Sequence, residues 1–454
     1  MLLPPELFPE SISQKQIIFM AMTVSFLIVS IPMILRFYWM ENLCIYGLLF
    51  MVINPIDITL FSYTNYRGDI RGIEFGVTDW FSITLIANFY FGRKYRNLKL
   101  RYTSPNSFFL WAYFAICAQS IFTAYVPQFA FFGLTRVIRA YLIFWIGLNY
   151  VRSNENIQTL FNAMVAITLF SFYQVLADKY IRGIFPPRGV FPHQNSLSTF
   201  QNTINFFLFA YVLAYSKKMF DRRNLLYLVA LGGGTLTNLA TLSRGGLATM
   251  FMVYAMIFVL VSLLKLPAQK KKKKWKVLSL GLLFGIPLLG FLLPPIIHRF
   301  KNAPKESGEA RDLFNEVSHM MGNEAFFGVG FNNYSFMGIT KYREFFPNID
   351  QGGLAHHIYW LHYAELGILG PILWSGLILS FIWVAMRQVL SRKNTLEAIY
   401  ACGAVGGFIG AMLIGLLEWN FRQTSIHMTY FLLAGTIAGV SLTRAQHRKL
   451  QKNL

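Results

Sequence analysis

The sequence predicts an all-α fold, a polytopic transmembrane helical bundle of about 12–13 spans with one long external loop and a short return helix. Three observations predict it. Apolar runs near the roughly 20 residues that a spanning helix needs recur along the whole chain. Only 13% of the residues are charged and 55% are hydrophobic, where a soluble domain carries about a quarter charged residues. The basic residues behind the net charge of +21 gather in short stretches between the apolar runs, the pattern of cytoplasmic loops.

Each span is argued from its own stretch. Runs 17–35 and 43–60 open the chain, the second weakened by Asn54-Pro55 and Asp57. Run 75–91 carries Asp79 near its start and precedes Arg93, Lys94, Arg96, Lys99 and Arg101. Runs 108–126, 129–150, 157–177 and 195–215 follow, the last ending at Lys217, Lys218, Arg222 and Arg223. Runs 225–242 and 246–264 lead to Lys270–Lys274, expected to be a solvated anchor beside anionic lipid. Run 277–297 closes at Pro294-Pro295, and 368–386, 396–417 and 426–442 complete the set. Arg387, Arg392 and Lys393, then Arg444, Arg448, Lys449 and Lys452, mark the same side. Thirteen spans place the N-terminus outside; a re-entrant first or second run gives about 12 and places it inside.

Between 297 and 368 the chain is polar. The 298–355 stretch has six Lys/Arg against seven Asp/Glu, the near-neutral balance of an external loop. The chain therefore divides into transmembrane helices with short loops (1–297), an external loop with its return helix (298–367) and C-terminal transmembrane helices (368–454). Met1–Gln16 has neither a basic n-region nor a small-residue cleavage site, so no removable signal peptide is expected. Cys44, Cys117 and Cys402 lie in apolar runs and read as structural thiols, neither disulfides nor ligands. No basic stripe alternates with aromatics on a polar face, which excludes nucleic acid as a partner.

Chemistry needs polar groups where a substrate can reach them. Arg188, Arg244 and Arg311 fall on the side opposite the basic clusters. Guanidinium offers phosphate a planar, bidentate donor set, and the glycines beside Arg188 and Arg244 let backbone approach a ligand. The three arginines form an expected anion site. Arg136 and Arg139, three apart inside a span, share a helix face and need a structural ion pair or a lipid phosphate. Asp79 and Asp178 are the candidate partners. His356 and His357 stand where polar chain becomes helix, and imidazole titrates near neutrality as a general base does. Adjacent histidines diverge on a helix and no His-Glu-x-x-His occurs, so neither metal nor other cofactor is expected. Glu365 lies nine residues past His356, about 900° round a helix and so on the opposite face. It is expected to pair with a basic group.

These residues resemble the O-antigen ligase and polymerase family of bacterial envelope enzymes. Arg188-Gly189-Val190-Phe191-Pro192-His193-Gln194-Asn195 is similar to the family's R-G-x-F-x-H-x-N, and Ser243-Arg244-Gly245-Gly246 to its S-R-G segment. Phe327-Gly328-Val329-Gly330-Phe331-Asn332-Asn333-Tyr334 resembles the end of its long loop, G-x-G-x-x-N-[FY]. His356-His357 with Gly367 and Gly370 resembles H-[NSQ]-x9-G-x-x-G, except that His357 stands where the family has Asn, Ser or Gln. The spacing to the glycines selects His356.

The resemblance implies a glycosyltransferase in the bacterial inner membrane, acting on its outer, periplasmic face. It implies transfer from an undecaprenyl diphosphate-linked glycan donor to lipid A core (ligase), another carrier-linked glycan (polymerase) or a protein hydroxyl side chain, the last disfavoured by the lack of a large soluble acceptor domain, with membrane lipid as the surrounding partner. In that reading His356 is catalytic, Arg188, Arg244 and Arg311 bind diphosphate, and His193, Asn195, His357, Tyr359 and Glu365 support them. One in-line displacement gives inversion, and the arginines stabilise the leaving diphosphate without a metal. The alternative is a lipid-linked oligosaccharide flippase or another polysaccharide transporter, which favours two similar halves with discontinuous helices. No such symmetry is visible.

Overall fold

The computed structural model of the chain describes residues 11–63, 66–96, 99–301, 305–346 and 352–452. Most of Met1–Gln16, on which the signal-peptide expectation rests, lies outside them.

The described chain begins with α1 (Gln14–Arg36), whose capping box joins Ser13 and Gln16, and α2 (Met40–Ile53). A hairpin of β1 (Asp57–Leu60) and β2 (Ile73–Gly76) follows. Next come α3 (Val77–Arg96), α4 (Ser107–Thr123), α5 (Pro127–Tyr150) and α6 (Asn154–Tyr180). Then come α7 (Gln194–Ala214), α8 (Arg222–Thr241), α9 (Arg244–Leu263) and α10 (Ala268–Lys301). The polar stretch forms α11 (Lys305–Glu324), α12 (Tyr334–Ile339) and a 3-10 turn at Arg343–Phe345. The return helix is α13 (Ile358–Leu366). α14 (Leu369–Val389), α15 (Leu396–Gly415), a 3-10 turn at Asn420–Arg422 and α16 (Thr424–Lys452) complete the chain.

The fold is an all-α, polytopic helical bundle. Seven helices among the described residues are long and apolar enough to cross a membrane: α1, α5, α6, α9, α14, α15 and α16. The chain is a multi-pass membrane protein. α2 and α4 are apolar but shorter. The cysteines are free and buried, as the sequence implies.

Three local expectations are corrected. Run 43–60 is not one span. α2 stops at Ile53, before Asn54-Pro55, and Asp57–Leu60 then pairs antiparallel with Ile73–Gly76, Asp57 facing Gly76 and Leu60 facing Ile73. Proline lacks the N–H that would continue the helix and biases the residue before it towards extended backbone. The 298–355 stretch is not mainly loop. α10 continues through Pro294-Pro295 to Lys301, and α11 buries Phe314, Val317, Ser318 and Met321, spaced i, i+3, i+4, i+7 on one face. Nor is Lys270–Lys274 a uniformly solvated anchor. It lies within the first two turns of α10, and Lys273 and Lys274 are buried.

The chain folds as two compact units, each drawn from separate sequence segments. The first comprises Met1–Tyr150, Gly308–Ser380 and Gly415–Gly439; the second comprises Val151–Ser307, Phe381–Ile414 and Val440–Leu454. In the first, α3 packs on α1, α2 and α5, and α4 packs on α5. In the second, α7 is buried along almost its whole length among α6, α8 and α9.

Candidate active site

The first unit places α13 through backbone that only small or left-handed residues permit. Gly328 and Gly330 have φ of +70° and +102°. Val329 and Gly330 donate their N–H groups to Ala364 O and Glu365 O at 2.9 and 3.0 Å. A Cβ on Gly328 would lie 2.5 Å from Ala364 O. Asn332 Nδ2 donates to Ile70 O at 2.8 Å and to Phe129 O at 3.1 Å, and its Oδ1 accepts from Ile70 N at 3.2 Å. Asn333 Oδ1 accepts from Val126 N at 2.8 Å. The Phe327–Tyr334 motif is thus a clamp that docks the C-terminal end of α13.

The other end of α13 carries the histidines. His357 is its N-cap, Nδ1 accepting from Trp360 N–H at 3.3 Å. Burial holds its imidazole below the usual range. The cap fixes the preceding residue, His356, whose Nδ1 lies 3.2 Å from Glu418 Oε2. Glu418 Oε1 accepts from Arg311 Nη2 at 2.9 Å. The carboxylate side chain is 10% exposed, against 33% for His356 and 32% for Arg311. A buried acid therefore bridges a half-exposed imidazole and a half-exposed guanidinium. In the tautomer whose Nδ1–H donates to Glu418, Nε2 keeps a lone pair for an incoming proton.

Beneath the site lies a network of buried charges. Glu365 Oε2 accepts from Arg422 Nη1 at 2.6 Å, and its Oε1 from Tyr334 N at 3.3 Å. Arg422 Nε donates to Asp69 Oδ2 at 3.2 Å, and Arg136 Nη1 to Asp69 Oδ1 at 3.0 Å. Arg136 also donates to Arg422 O. Arg139 forks onto Asp79 at 3.0 and 2.9 Å and reaches Glu74 Oε2 at 3.0 Å. Burial disfavours the Arg422 cation, but Glu365 and Asp69 more than offset this and hold its pKa above the ordinary range. Burial raises the Glu74 pKa despite Arg136 and Arg139. Both span arginines therefore resolve as structural ion pairs, and Glu365 pairs with a basic group as expected.

Asp178 is not a partner of Arg136 or Arg139. It lies in the second unit, where its carboxylate accepts from Arg182 Nη1 at 2.8 Å and from the Arg188 and Gly189 amides at 3.0 and 2.7 Å. Gly189, at φ +59°, makes that grip possible. Arg188 itself is exposed and donates to Pro192 O at 3.3 Å. His193 caps α7, Nδ1 accepting from Asn195 N–H at 3.2 Å. Ser243 caps α9, leaving Arg244 exposed at its first turn. Gly246 O accepts from Asn202 Nδ2 at 2.8 Å, tying α9 to α7.

Compared with known proteins, the chain matches no family model and no curated sequence.

The structure thus joins His356 and Arg311 through Glu418, and Glu365 to Arg422. His357 is a cap, and Tyr359 is half-buried with its ring 5.6 Å from that of His357. His362 faces elsewhere: its Nδ1 lies 2.8 Å from Ile358 O and its Nε2 3.0 Å from Tyr113 Oη. Burial, then Arg422, pushes its pKa down to about 3. Glu418, Arg422 and Asp69 are missing from the sequence reading. The signal was Glu418-Trp419-Asn420-Phe421-Arg422, an acid and a base in a short link between two apolar runs.

Proposed function

We propose that the chain is a membrane glycosyltransferase of the O-antigen ligase or polymerase type. It moves a glycan from an undecaprenyl diphosphate carrier to an acceptor hydroxyl, without a metal, on the outer face of a bacterial inner membrane. The observation that carries the reading is the His356–Glu418–Arg311 bridge, with its buried carboxylate and its two more exposed partners. Glu418 holds the imidazole in one orientation, with Nε2 as the base. Nε2 takes the acceptor proton as the hydroxyl oxygen bonds to the anomeric carbon. The bond from that carbon to the diphosphate breaks, and the electron pair leaves on the diphosphate. Arg311, paired with Glu418, steadies that carboxylate against the imidazole, and its diphosphate role is proposed for guanidinium donors that Glu418 does not occupy. The net result is inversion at the anomeric carbon.

Arg188 and Arg244 keep their proposed diphosphate role on chemistry alone, as exposed guanidiniums flanked by glycine. Arg188→Ala and Arg244→Ala are expected to abolish transfer, with poor rescue by Lys because it lacks the planar fork. Near-normal turnover in both Ala variants removes them from the reaction.

The deciding experiment supplies purified full-length protein with carrier-linked glycan and, separately, lipid A core or a second carrier-linked glycan. His356→Ala should lower turnover by about 10²- to 10⁴-fold, or about 3–5 kcal/mol, with donor affinity retained. His357→Asn should be tolerated, because Asn is a strong N-cap. Full turnover by His356→Phe sinks the reading.

A further inference from the structure

The lysine run at the start of α10 divides between faces. Lys272, Lys273 and Lys276 line one side of a 480 Å³ pocket. Lys217, Lys218 and Phe220 line the other. Their spacing on α10 (i, i+1, i+4) puts the three lysines on one face. Lys270 and Lys274 of the same run make other contacts. Lys270 Nζ lies 3.5 Å from Asn394 Oδ1, and Lys274 Nζ donates to Ser262 Oγ at 2.5 Å and lies 4.5 Å from the Phe258 ring centroid.

Five lysines thus line one pocket, with no carboxylate among its lining residues. Lys273 is only 3% exposed. Its nearest polar contact is a neutral amide, Asn224 Oδ1 at 3.4 Å. Asp221 is close enough to be felt electrostatically, but both its oxygens are engaged, one capping α8 through Asn224 N at 2.8 Å and the other accepting from Ser216. Burial, then neighbouring Lys270, pushes the Lys273 pKa down to about 8. A buried cation among like charges calls for a mobile anion as its counter-charge.

We propose that this pocket binds a phosphate-bearing ligand, with the headgroup of an anionic phospholipid as its source. Several ammonium groups suit phosphate as point charges. Phe220, 70% exposed beside the lysines, offers the apolar contact that glycerol and acyl carbons use. The site is separate from the His356–Glu418 pair and does not depend on the glycosyltransferase reading.

The test is equilibrium titration of full-length protein in neutral detergent with short-chain phosphatidylglycerol, short-chain phosphatidylcholine or inorganic pyrophosphate. Wild type should bind phosphatidylglycerol saturably and phosphatidylcholine at least about tenfold more weakly. Lys272→Gln/Lys273→Gln/Lys276→Gln should weaken binding by about tenfold or more. Lys217→Gln/Lys218→Gln should weaken it too, and both positions are exposed, so folding is not at issue. Lys270→Gln/Lys271→Gln/Lys274→Gln removes the same charge from the other faces and should change affinity by less than about twofold. Equal weakening by the two triple variants overturns the site in favour of diffuse charge attraction. Absence of saturable binding by phosphatidylglycerol and pyrophosphate alike also overturns it. Tighter binding of pyrophosphate than of phosphatidylglycerol keeps a phosphate site but overturns the lipid source.

Discussion

Glu418 has two oxygens and a cation-forming partner for each. Replacing the carboxylate by an amide of the same shape tests whether it acts through His356. Glu418→Gln can turn its NH₂ towards the imidazole and frees the ring to choose the other tautomer. Turnover should fall by about 10²-fold or more while donor affinity stays within about twofold. Equal loss of both would assign Glu418 to folding instead. Arg422 differs, because its guanidinium is buried between Glu365 and Asp69. Removing one partner of a buried pair leaves uncompensated charge, so Arg422→Met should cost about 3–5 kcal/mol in unfolding free energy, with Lys a poor rescue. His356, Arg311 and Glu365 were legible as single residues, His356 and Arg311 from motif and charge bias, Glu365 from helix geometry. Glu418 and Arg422 were not, since a five-residue link between apolar runs carries no periodicity. Only the fold brings it against Arg311 and His356, which are more than 60 positions away in sequence.

At the scale of elements, what looked like a catalytic loop is mostly scaffold. The glycines at 328 and 330 let backbone meet the end of α13, and the asparagines at 332 and 333 tie that backbone to Ile70, Phe129 and Val126. Gly328→Ala forces a side chain into left-handed backbone against Ala364 O. It should cost about 1–3 kcal/mol or more. Gly281→Ala in α10, where a Cβ meets nothing within 4 Å, should be neutral or stabilising by up to about 1 kcal/mol. Thermal unfolding of the pair in one detergent checks both. The apolar helices were readable because hydropathy and length suffice for them. α11 was missed because its polar composition hid the spacing of Phe314, Val317, Ser318 and Met321. The hairpin was missed because eight strand residues sit inside stretches already assigned to spans and polar loop.

For the whole molecule, the expectation that the sequence supports and the proposed chemistry requires is sidedness. α11 should be outside and the start of α10 inside. Gly330 is a poor probe, being buried and left-handed. Glu316→Cys and Lys271→Cys are better, since both positions are exposed and the native cysteines are buried. With an impermeant thiol reagent on intact cells, Glu316→Cys should label directly and Lys271→Cys only after permeabilisation. The reverse pattern would put His356 on the side with the basic clusters and remove the proposed donor.

The length of α10 has a mechanical consequence. At 34 residues it is about 51 Å long, while its apolar 277–297 stretch is about 31 Å, close to a hydrocarbon core of about 30 Å. α10 is not among the seven helices named above as able to cross a membrane, but if it spans as the sequence predicts, the lysines at its start hold that end at the interface and the helix gauges bilayer thickness. In a thinner bilayer it must tilt, and in a thicker one the bilayer must pinch, at a fraction of a kcal/mol per ångström.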